Sequence, residues 1–580
     1  MAIDLKNSAL LKVLQPLRSH FIVAAAFSLF INMLMIVPAM YMLQVFDRAV
    51  GSNSQSTLLM LTLLMVMLMA SLGFLEWVRS QVLVRAGAKM DELLSERLFN
   101  LSFKQSLYSG TSNSQALSDL NSIRQFMTGN GLFAFFDAPW TPIYIAIMFM
   151  FHSYFGVLAM LSVIFLGALA YTNQKLTDGL ISEANKEAMW SNNFTNRNLR
   201  NAEVVESMGM LASIRERWKI HSEKVINLQS LASDKAGMLT AISKSSRTTL
   251  QSLALGMGAY LAINQEISPG MMIAGSILLG RALAPVDLLV GSWKQFVGAR
   301  AQFERIDDML TRLPESEEKM ELPVPTGAIS AEGLSAAPPG SRVPVLLGIS
   351  FNLPAGTAVG VIGPSAAGKS TLARVILGIW PALAGAMRLD GADVFQWDRE
   401  ELGPHIGYLP QDIELFDGTI SENIARFGEI DAEKIVEASR LAGVHEMVLK
   451  LVEGYDTKIG AGGTVLSGGQ RQRIGLARAV YGDPRLVVLD EPNSNLDDVG
   501  DIALGVALAK LKEKGTTLIV ISHRLTILSS VDKLMVMKEG RIVDFGGTEE
   551  VMKNLQQAQA LAPAKKPKSL TTTVPVGSLK

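Results

Sequence analysis

The strongest constraint on this chain is a series of sparsely charged apolar runs in its first half. The first, Phe21 to Phe46, is long enough to cross a bilayer, which takes about 20 helical residues. In lipid every backbone N–H and C=O needs a partner within the chain, so such a run folds as a helix. A polar leader with Lys6, Lys12 and Arg18 precedes it. The run is nevertheless longer than the apolar core of a secretory signal, about 7 to 15 residues, and reads as an uncleaved span. Similar runs follow at Thr57–Val78, Pro139–Phe151, Tyr154–Tyr171, Leu250–Ile263 and Met271–Leu289, which gives six spans.

Lys and Arg orient these spans. Connections 47–56, 152–153 and 264–270 hold only Arg48 between them, while 79–135 and 174–247 are rich in both residues. The positive-inside rule then places the N-terminus, the two long connections and all that follows the sixth span in the cytoplasm. Val82–Phe103 and Lys186–Leu228 keep a helical period, so the connections are expected to be helical extensions of the spans, suited to carrying force. Arg281 and Asp287 are charges in or near the sixth run, where a charge is costly. Either a lining role for Arg281 or an interhelix salt link accounts for them. Pro38 and Pro285 mark kinks.

With 580 residues, more than one domain is expected. Hydrophobic residues make up 49% and charged ones 18%, with the apolar excess concentrated before about residue 295. The net charge of −1 provides no field for nucleic acid. Without cysteine the chain has neither disulfides nor thiol chemistry. These features set the expected limits: a membrane domain over 1–313, a linker over 314–325 where Leu313-Pro-Glu-Ser-Glu-Glu-Lys-Met breaks the helical pattern, an α/β domain over 326–555, and a tail over 556–580 of disordered composition. The tail is assigned no function.

In the α/β domain the apolar strand Ala358–Ile362 leads into Gly363-Pro364-Ser365-Ala366-Ala367-Gly368-Lys369-Ser370-Thr371 and then a helix. This is a P-loop in its required strand–loop–helix context. Its backbone N–H groups point at the β and γ phosphates of a nucleotide, Lys369 adds positive charge, and Ser370 offers a hydroxyl to Mg²⁺. Leu486-Val-Val-Leu-Asp490-Glu491 reads as a buried strand ending in two carboxylates. Asp490 is expected to hold Mg²⁺ through water, and Glu491 to polarise the attacking water. Between them, Leu466-Ser467-Gly468-Gly469-Gln470 opens an amphipathic helix and forms a second anion site. One P-loop and one such turn per chain predict a head-to-tail homodimer.

These motifs, with Ile521-Ser522-His523-Arg524, resemble the ABC transporters, and the resemblance covers both halves of the chain. It implies a six-span helical bundle of exporter type fused to a P-loop NTPase domain, with ATP and Mg²⁺ as ligands. Within Tyr408-Leu-Pro-Gln411-Asp, Gln411 is implied as the residue sensing Mg²⁺ and the membrane domain. Asp497 in Ser494-Asn-Leu-Asp497 is implied as the D-loop, and His523 as the γ-phosphate contact. Glu491 is present, so a hydrolysing site is implied. Two departures stand out. Leu334-Ser-Ala-Ala-Pro-Pro-Gly340-Ser-Arg has no aromatic residue to stack on adenine, and Ala337→Tyr is expected to tighten ATP binding by supplying one. Thr457-Lys-Ile-Gly460-Ala461-Gly-Gly463 carries alanine where exporters often have glutamate.

Other stretches resemble the type I protein secretion ATPases, in particular the subgroup serving alkaline metalloproteases, lipases and haem-binding proteins. They are Phe136-Asp137-Ala-Pro139-Trp140-Thr-Pro142, Asn201-Ala-Glu203-Val-Val-Glu-Ser-Met208-Gly209-Met210 with Trp218, Ser268-Pro-Gly270, Gly280-Arg281-Ala-Leu-Ala-Pro285 and Ala337-Pro-Pro-Gly340. The short stretch before the first span implies that no peptidase-like domain precedes it. The resemblance implies a homodimer in a Gram-negative inner membrane, working with a periplasmic membrane-fusion protein and an outer-membrane channel. Its cargo would be an unfolded polypeptide with an uncleaved C-terminal signal. An exporter of lipids or small amphiphiles is the alternative.

Overall fold

The structure, a computed structural model, describes residues 8–109, 115–312, 322–341, 343–460, 466–496 and 498–561. The chain divides into two compact units, Met1–Ser106 with Thr111–Pro314, and Leu107–Gly110 with Glu315–Lys580.

The first unit is helical. Among the described residues, five helical stretches are long and apolar enough to cross a membrane: Gln15–Val50, Gln55–Tyr108, Gly131–Phe151, Ser153–Leu199 and Pro269–Arg312. The remaining span read from the sequence, Leu250–Ile263, forms the end of the helix Leu211–Ile263. That helix is apolar only in its last part. It packs through small residues instead, with Ala254 and Gly258 buried beside Leu261 in a core that includes Phe155, Ala274 and Leu278. Burial separates the helices by position. The apolar window of Gln55–Tyr108 is 0% buried, as on a surface facing lipid, while that of Pro269–Arg312 is 56% buried.

The second helix, Gln55–Ser109, is continuous over 55 residues. At about 1.5 Å per residue it is much longer than the roughly 30 Å hydrocarbon core, so Val82–Phe103 extends a span, as the periodicity predicts. Lys186–Leu228 is different. The fourth helix ends at Leu199, a short helix Ala202–Ser207 and Gly209 (φ +64°) make a turn, and the fifth helix starts at Leu211. The two helices then run back along each other, and Lys224 Nζ donates to Glu187 (2.7 Å) while the His221 ring stacks on Trp190. Periodicity on either side of the turn concealed a hairpin.

Asp287, inside this unit, is paired across helices. Asp287 accepts from Arg247 Nη1 (2.7 Å) and Ser243 Oγ (3.0 Å) on the fifth helix. The salt link is therefore interhelical, with a partner that the sequence did not suggest. Arg281 makes no hydrogen bond or ion pair among the described residues. At the other end of the sixth helix, Asp47 Oδ1 accepts from the Gly270 backbone N–H (2.9 Å), a cap supplied from the first span to the helix N-terminus.

The second unit is built on strands β1 (Ile329–Ala336), β2 (Leu346–Leu353), β3 (Ala358–Ile362), β4 (Ala384–Leu389), β5 (Ala392–Asp393), β6 (Ile406–Leu409), β7 (Gly418–Thr419), β8 (Lys458–Ile459), β9 (Leu486–Asp490), β10 (Thr517–Ile521), β11 (Lys533–Lys538) and β12 (Arg541–Gly547). The main sheet has the order β12-β11-β3-β10-β9-β6 and is parallel except for β12 at its edge. Every residue of β9 and β10 is buried, as expected of strands covered on both faces. Sheets β2-β1-β4-β5 and β7-β8 are antiparallel. The last helix, Thr548–Leu561, enters the segment read as a tail, so Gln556 to Leu561 are helical. Residues 562–580 lie outside the described residues.

Candidate functional site

Parallel register brings the motifs together. Ile521 pairs with Val361 of β3 and Asp490 of β9, and Leu489 pairs with Leu409 of β6. The C-terminal ends of β3, β10, β9 and β6 therefore lie side by side, and the P-loop, His523, Glu491 and Gln411 each follow one of them. Ligands in parallel α/β sheets bind at this edge.

After β3 the loop turns at Gly363, where a Cβ would lie 2.2 Å from the Met537 carbonyl oxygen, so only glycine fits. Pro364 and Ser365 follow, Ala366 takes a left-handed φ of +63°, and Gly368 (φ +96°) precedes the helix Lys369–Ile376. Ala367 and Thr371 are buried beneath the turn. Lys369 is 8% exposed, and its Nζ donates to the Gly363 (2.8 Å) and Pro364 (3.1 Å) carbonyls. The ammonium is thus held inside a loop of backbone amides at a helix N-terminus, which suits a polyphosphate.

Asp490 is 3% exposed and is hydrogen-bonded by Ser370. Burial pushes its carboxyl above the ordinary carboxylate range, the Ser370 hydroxyl opposes this, and neighbouring Glu491 adds to it. A buried carboxylate beside a hydroxyl fits a hydrated divalent cation, whose charge removes the cost of the buried anion. Because the folded form holds the Asp490 proton more tightly than the unfolded chain, this group lowers stability as pH rises past the ordinary carboxylate value. Asp490→Asn should therefore raise the thermal midpoint at pH 7 without Mg²⁺ and remove the added stabilisation by ATP with Mg²⁺. Scanning fluorimetry with and without chelator measures both, and a lower metal-free midpoint would count against a cost from the buried charge.

Glu491 has a left-handed φ of +51°, a strained position for a non-glycine residue, held by its N–H donating to the Ile521 carbonyl (2.9 Å). Gln411 Nε2 donates to Glu491 Oε2 (3.1 Å), and His523 Nε2 lies 3.8 Å from Glu491 Oε1. Two residues from separate motifs thus converge on the Glu491 carboxylate.

The turn Ser467–Gln470 closes as a capping box on the helix Gly468–Val480. Ser467 Oγ accepts from Gln470 N–H (3.3 Å), and Gln470 Oε1 accepts from Ser467 N–H (2.9 Å). Gly469 leaves room for the Asn495 carbonyl, 2.9 Å from where its Cβ would be. Among the described residues, no hydrogen bond or ion pair joins this turn to the P-loop of the same chain. Asp497 and Ala461 to Gly463 lie outside the described residues.

Sequence reading missed Gln472. Only 1% exposed, it donates to the Glu491 (3.4 Å) and Pro492 carbonyls and accepts from Asn495 N–H (2.9 Å). One side chain thus ties the helix Gly468–Val480 to the backbone of Glu491. Ser522, fully buried, donates to Asn493 Oδ1 (3.2 Å) and fixes the segment before His523. A glutamine on the apolar face of the signature helix was the available signal.

Ala337 is 6% exposed, which corrects the expectation for Ala337→Tyr. A ring there would be forced into a packed interior, at a cost of about 1–3 kcal/mol. The expected result is a lower thermal midpoint with no tightening of ATP binding, measured by fluorimetry and nucleotide titration.

Comparison with known proteins agrees with this geometry. The ABC transporter model matches residues 346–494, and the ABC transporter transmembrane region model matches 21–284. The type I secretion system ATP-binding protein PrsD of Rhizobium meliloti (strain 1021) is 44% identical over 557 residues, covering 96% of both chains. This chain belongs to the ABC transporters of type I secretion. More distant relatives of this transporter include the alpha-hemolysin translocation ATP-binding protein HlyB of Proteus vulgaris, 27% identical over 92% of this chain and 76% of that protein. The leukotoxin translocation ATP-binding protein LktB of Bibersteinia trehalosi is likewise 27% identical, over 93% and 77%. A bacterial Atm1-family ABC exporter solved with ATP bound has the same fold, with a TM-score of 0.80 and 21% identity over 95% of this chain and 99% of its own. The transporter is thus a membrane protein that binds ATP and couples its hydrolysis to transport.

Proposed function

We propose that the transporter is a homodimeric exporter of unfolded polypeptide, acting in a bacterial inner membrane with its nucleotide-binding domain in the cytoplasm. The observation that carries this reading is the 44% identity to a type I secretion ATP-binding protein across 96% of both chains, membrane half included. In this reading it works with a periplasmic membrane-fusion protein and an outer-membrane channel, and its cargo carries a C-terminal signal.

The P-loop Gly363–Thr371 would cradle the phosphates, Lys369 would turn from the loop carbonyls to the β and γ phosphates, and Ser370, Asp490 and Gln411 would hold Mg²⁺. The bound cation would offset negative charge on the phosphates. Glu491 accepts the proton of the attacking water while Gln411 orients its carboxylate, and His523 contacts the γ-phosphate. Ser467 to Gln470 of one chain, with Asp497, close on the nucleotide of the other. Membrane lipids surround the helices, and nucleic acid has no part in the cycle.

The test is ATPase activity of the reconstituted protein with unfolded C-terminal fragments of proteins encoded beside it, against lipids and small amphiphiles. Selective stimulation or inhibition by the fragments supports polypeptide export. A response to lipids or amphiphiles alone would transfer the cargo to that class.

A further inference from the structure

A cavity of about 1110 Å³ in the membrane unit lies among the N-terminal leader, the foot of the first span, the helix Gln115–Thr128 and the sixth helix. Its wall is built, not incidental. Asp307 on the sixth helix accepts from Ser8 Oγ (2.8 Å) and Leu10 N–H (2.9 Å), which caps and pins the leader. Leu10 and Leu17 are buried beneath it. The leader's other face is turned to the cavity, which Phe21, Ile22, Phe126, Met127, Phe296 and Phe303 make strongly apolar. Its charged lining residues are Lys12, Arg18 and Arg300, with no carboxylate among them, although Arg300 also pairs with Glu304 (3.1 Å).

An apolar chamber beside a cationic edge, at the start of a membrane span, has the two-part chemistry of a lipid with acyl chains and an anionic headgroup. Basic pockets between membrane helices on the cytoplasmic side select such headgroups by charge. We infer that this cavity is a binding site for an anionic phospholipid of the cytoplasmic leaflet, with the chains among the phenylalanines and the headgroup at Lys12, Arg18 and Arg300. The lipid would brace the leader against the sixth helix. This site is separate from the cargo and nucleotide chemistry and does not depend on the nature of the cargo.

The test is native mass spectrometry of the full-length protein released from nanodiscs, titrated with phosphatidylglycerol or with phosphatidylcholine of the same chains. Wild type should retain phosphatidylglycerol in preference. Lys12→Gln with Arg18→Gln should reduce that retention about 25-fold, at about fivefold per cation, without changing retention of phosphatidylcholine. Ala25→Trp, which fills the chamber from its floor, should lower retention of both lipids, and basal ATPase activity of each variant verifies folding. Headgroup selectivity surviving in the double variant would overturn the site. Displacement of the lipid by an amphipathic helical peptide would reassign the groove to polypeptide, and lipid retained by monomers but not dimers would assign it to a second copy of the chain.

Discussion

Glu491→Gln should lower ATP turnover about 10²- to 10⁴-fold, the usual contribution of a general base, while ATP affinity stays within about twofold. In the proposed cycle this carboxylate takes the proton of the attacking water. Its Oε2 accepts from Gln411 and its Oε1 lies 3.8 Å from His523, while its backbone holds a strained left-handed φ of +51°. Glutamine has the same volume and tolerates the same backbone, so the P-loop and the Ser370–Asp490 pair remain intact. What is lost is the charge and basicity that let the carboxylate take a proton from water. Phosphate release and binding of a fluorescent nucleotide, measured on the same reconstituted sample, separate the two effects. Turnover within tenfold of wild type would move the base to another group.

The site was legible where chemistry is written locally. The P-loop, the acidic strand end and the signature turn each sit in one short stretch, and parallel strands with their ends in register bring Val361, Ile521 and Asp490 level. The contribution of Gln472 was hidden because its partners, Glu491, Pro492 and Asn495, are 19 to 23 residues away and are contacted mainly through backbone atoms, which no side-chain pattern reveals. Arg426 is a similar case. Half-buried, with its guanidinium pushed down to about 10 by desolvation, it donates to the carbonyls of Gly403, Ile406, Arg478, Ala479 and Tyr481. It staples segments 403–406 and 478–481 to its own in a way that only tertiary structure defines. In the membrane half, hydropathy located the spans but not their partners. The hairpin at Gly209 was hidden because helical periodicity on both sides of a short turn reads as one helix. Ala337 misled because absence of an aromatic in sequence does not reveal a packed position in space.

Asp137→Ala should be among the most damaging single changes in the membrane unit, at about 3–5 kcal/mol, because it strands a charge in an apolar interior. Arg79 on the second helix has a side chain 6% exposed, and its Nη1 donates to Asp137 Oδ1 (3.0 Å) and Ser28 Oγ (2.8 Å). The same Asp137 oxygen accepts from Asn32 Nδ2 (2.9 Å), and Tyr144 donates to Asn32 (3.0 Å to Oδ1). The first, second and third spans are thus joined at one carboxylate, from the Phe136-Asp137-Ala-Pro139 stretch that the sequence marked only by its resemblance to the secretion ATPases. Removing Asp137 leaves the guanidinium with Ser28 and the Phe133 ring, 4.4 Å away, which do not neutralise it. Removing both ions is a different matter. In Arg79→Leu with Asp137→Ala no charge is left unpaired, and Asn32 keeps the Ser28 carbonyl (2.8 Å) and Tyr144 as partners. The double variant should therefore recover most of the loss, as buried ion pairs replaced by apolar residues commonly do. A double-mutant cycle on thermal midpoints in detergent, checked by gel filtration, measures the coupling. Additive losses in the two single variants would mean that the residues act separately and that the three spans are held together by packing alone.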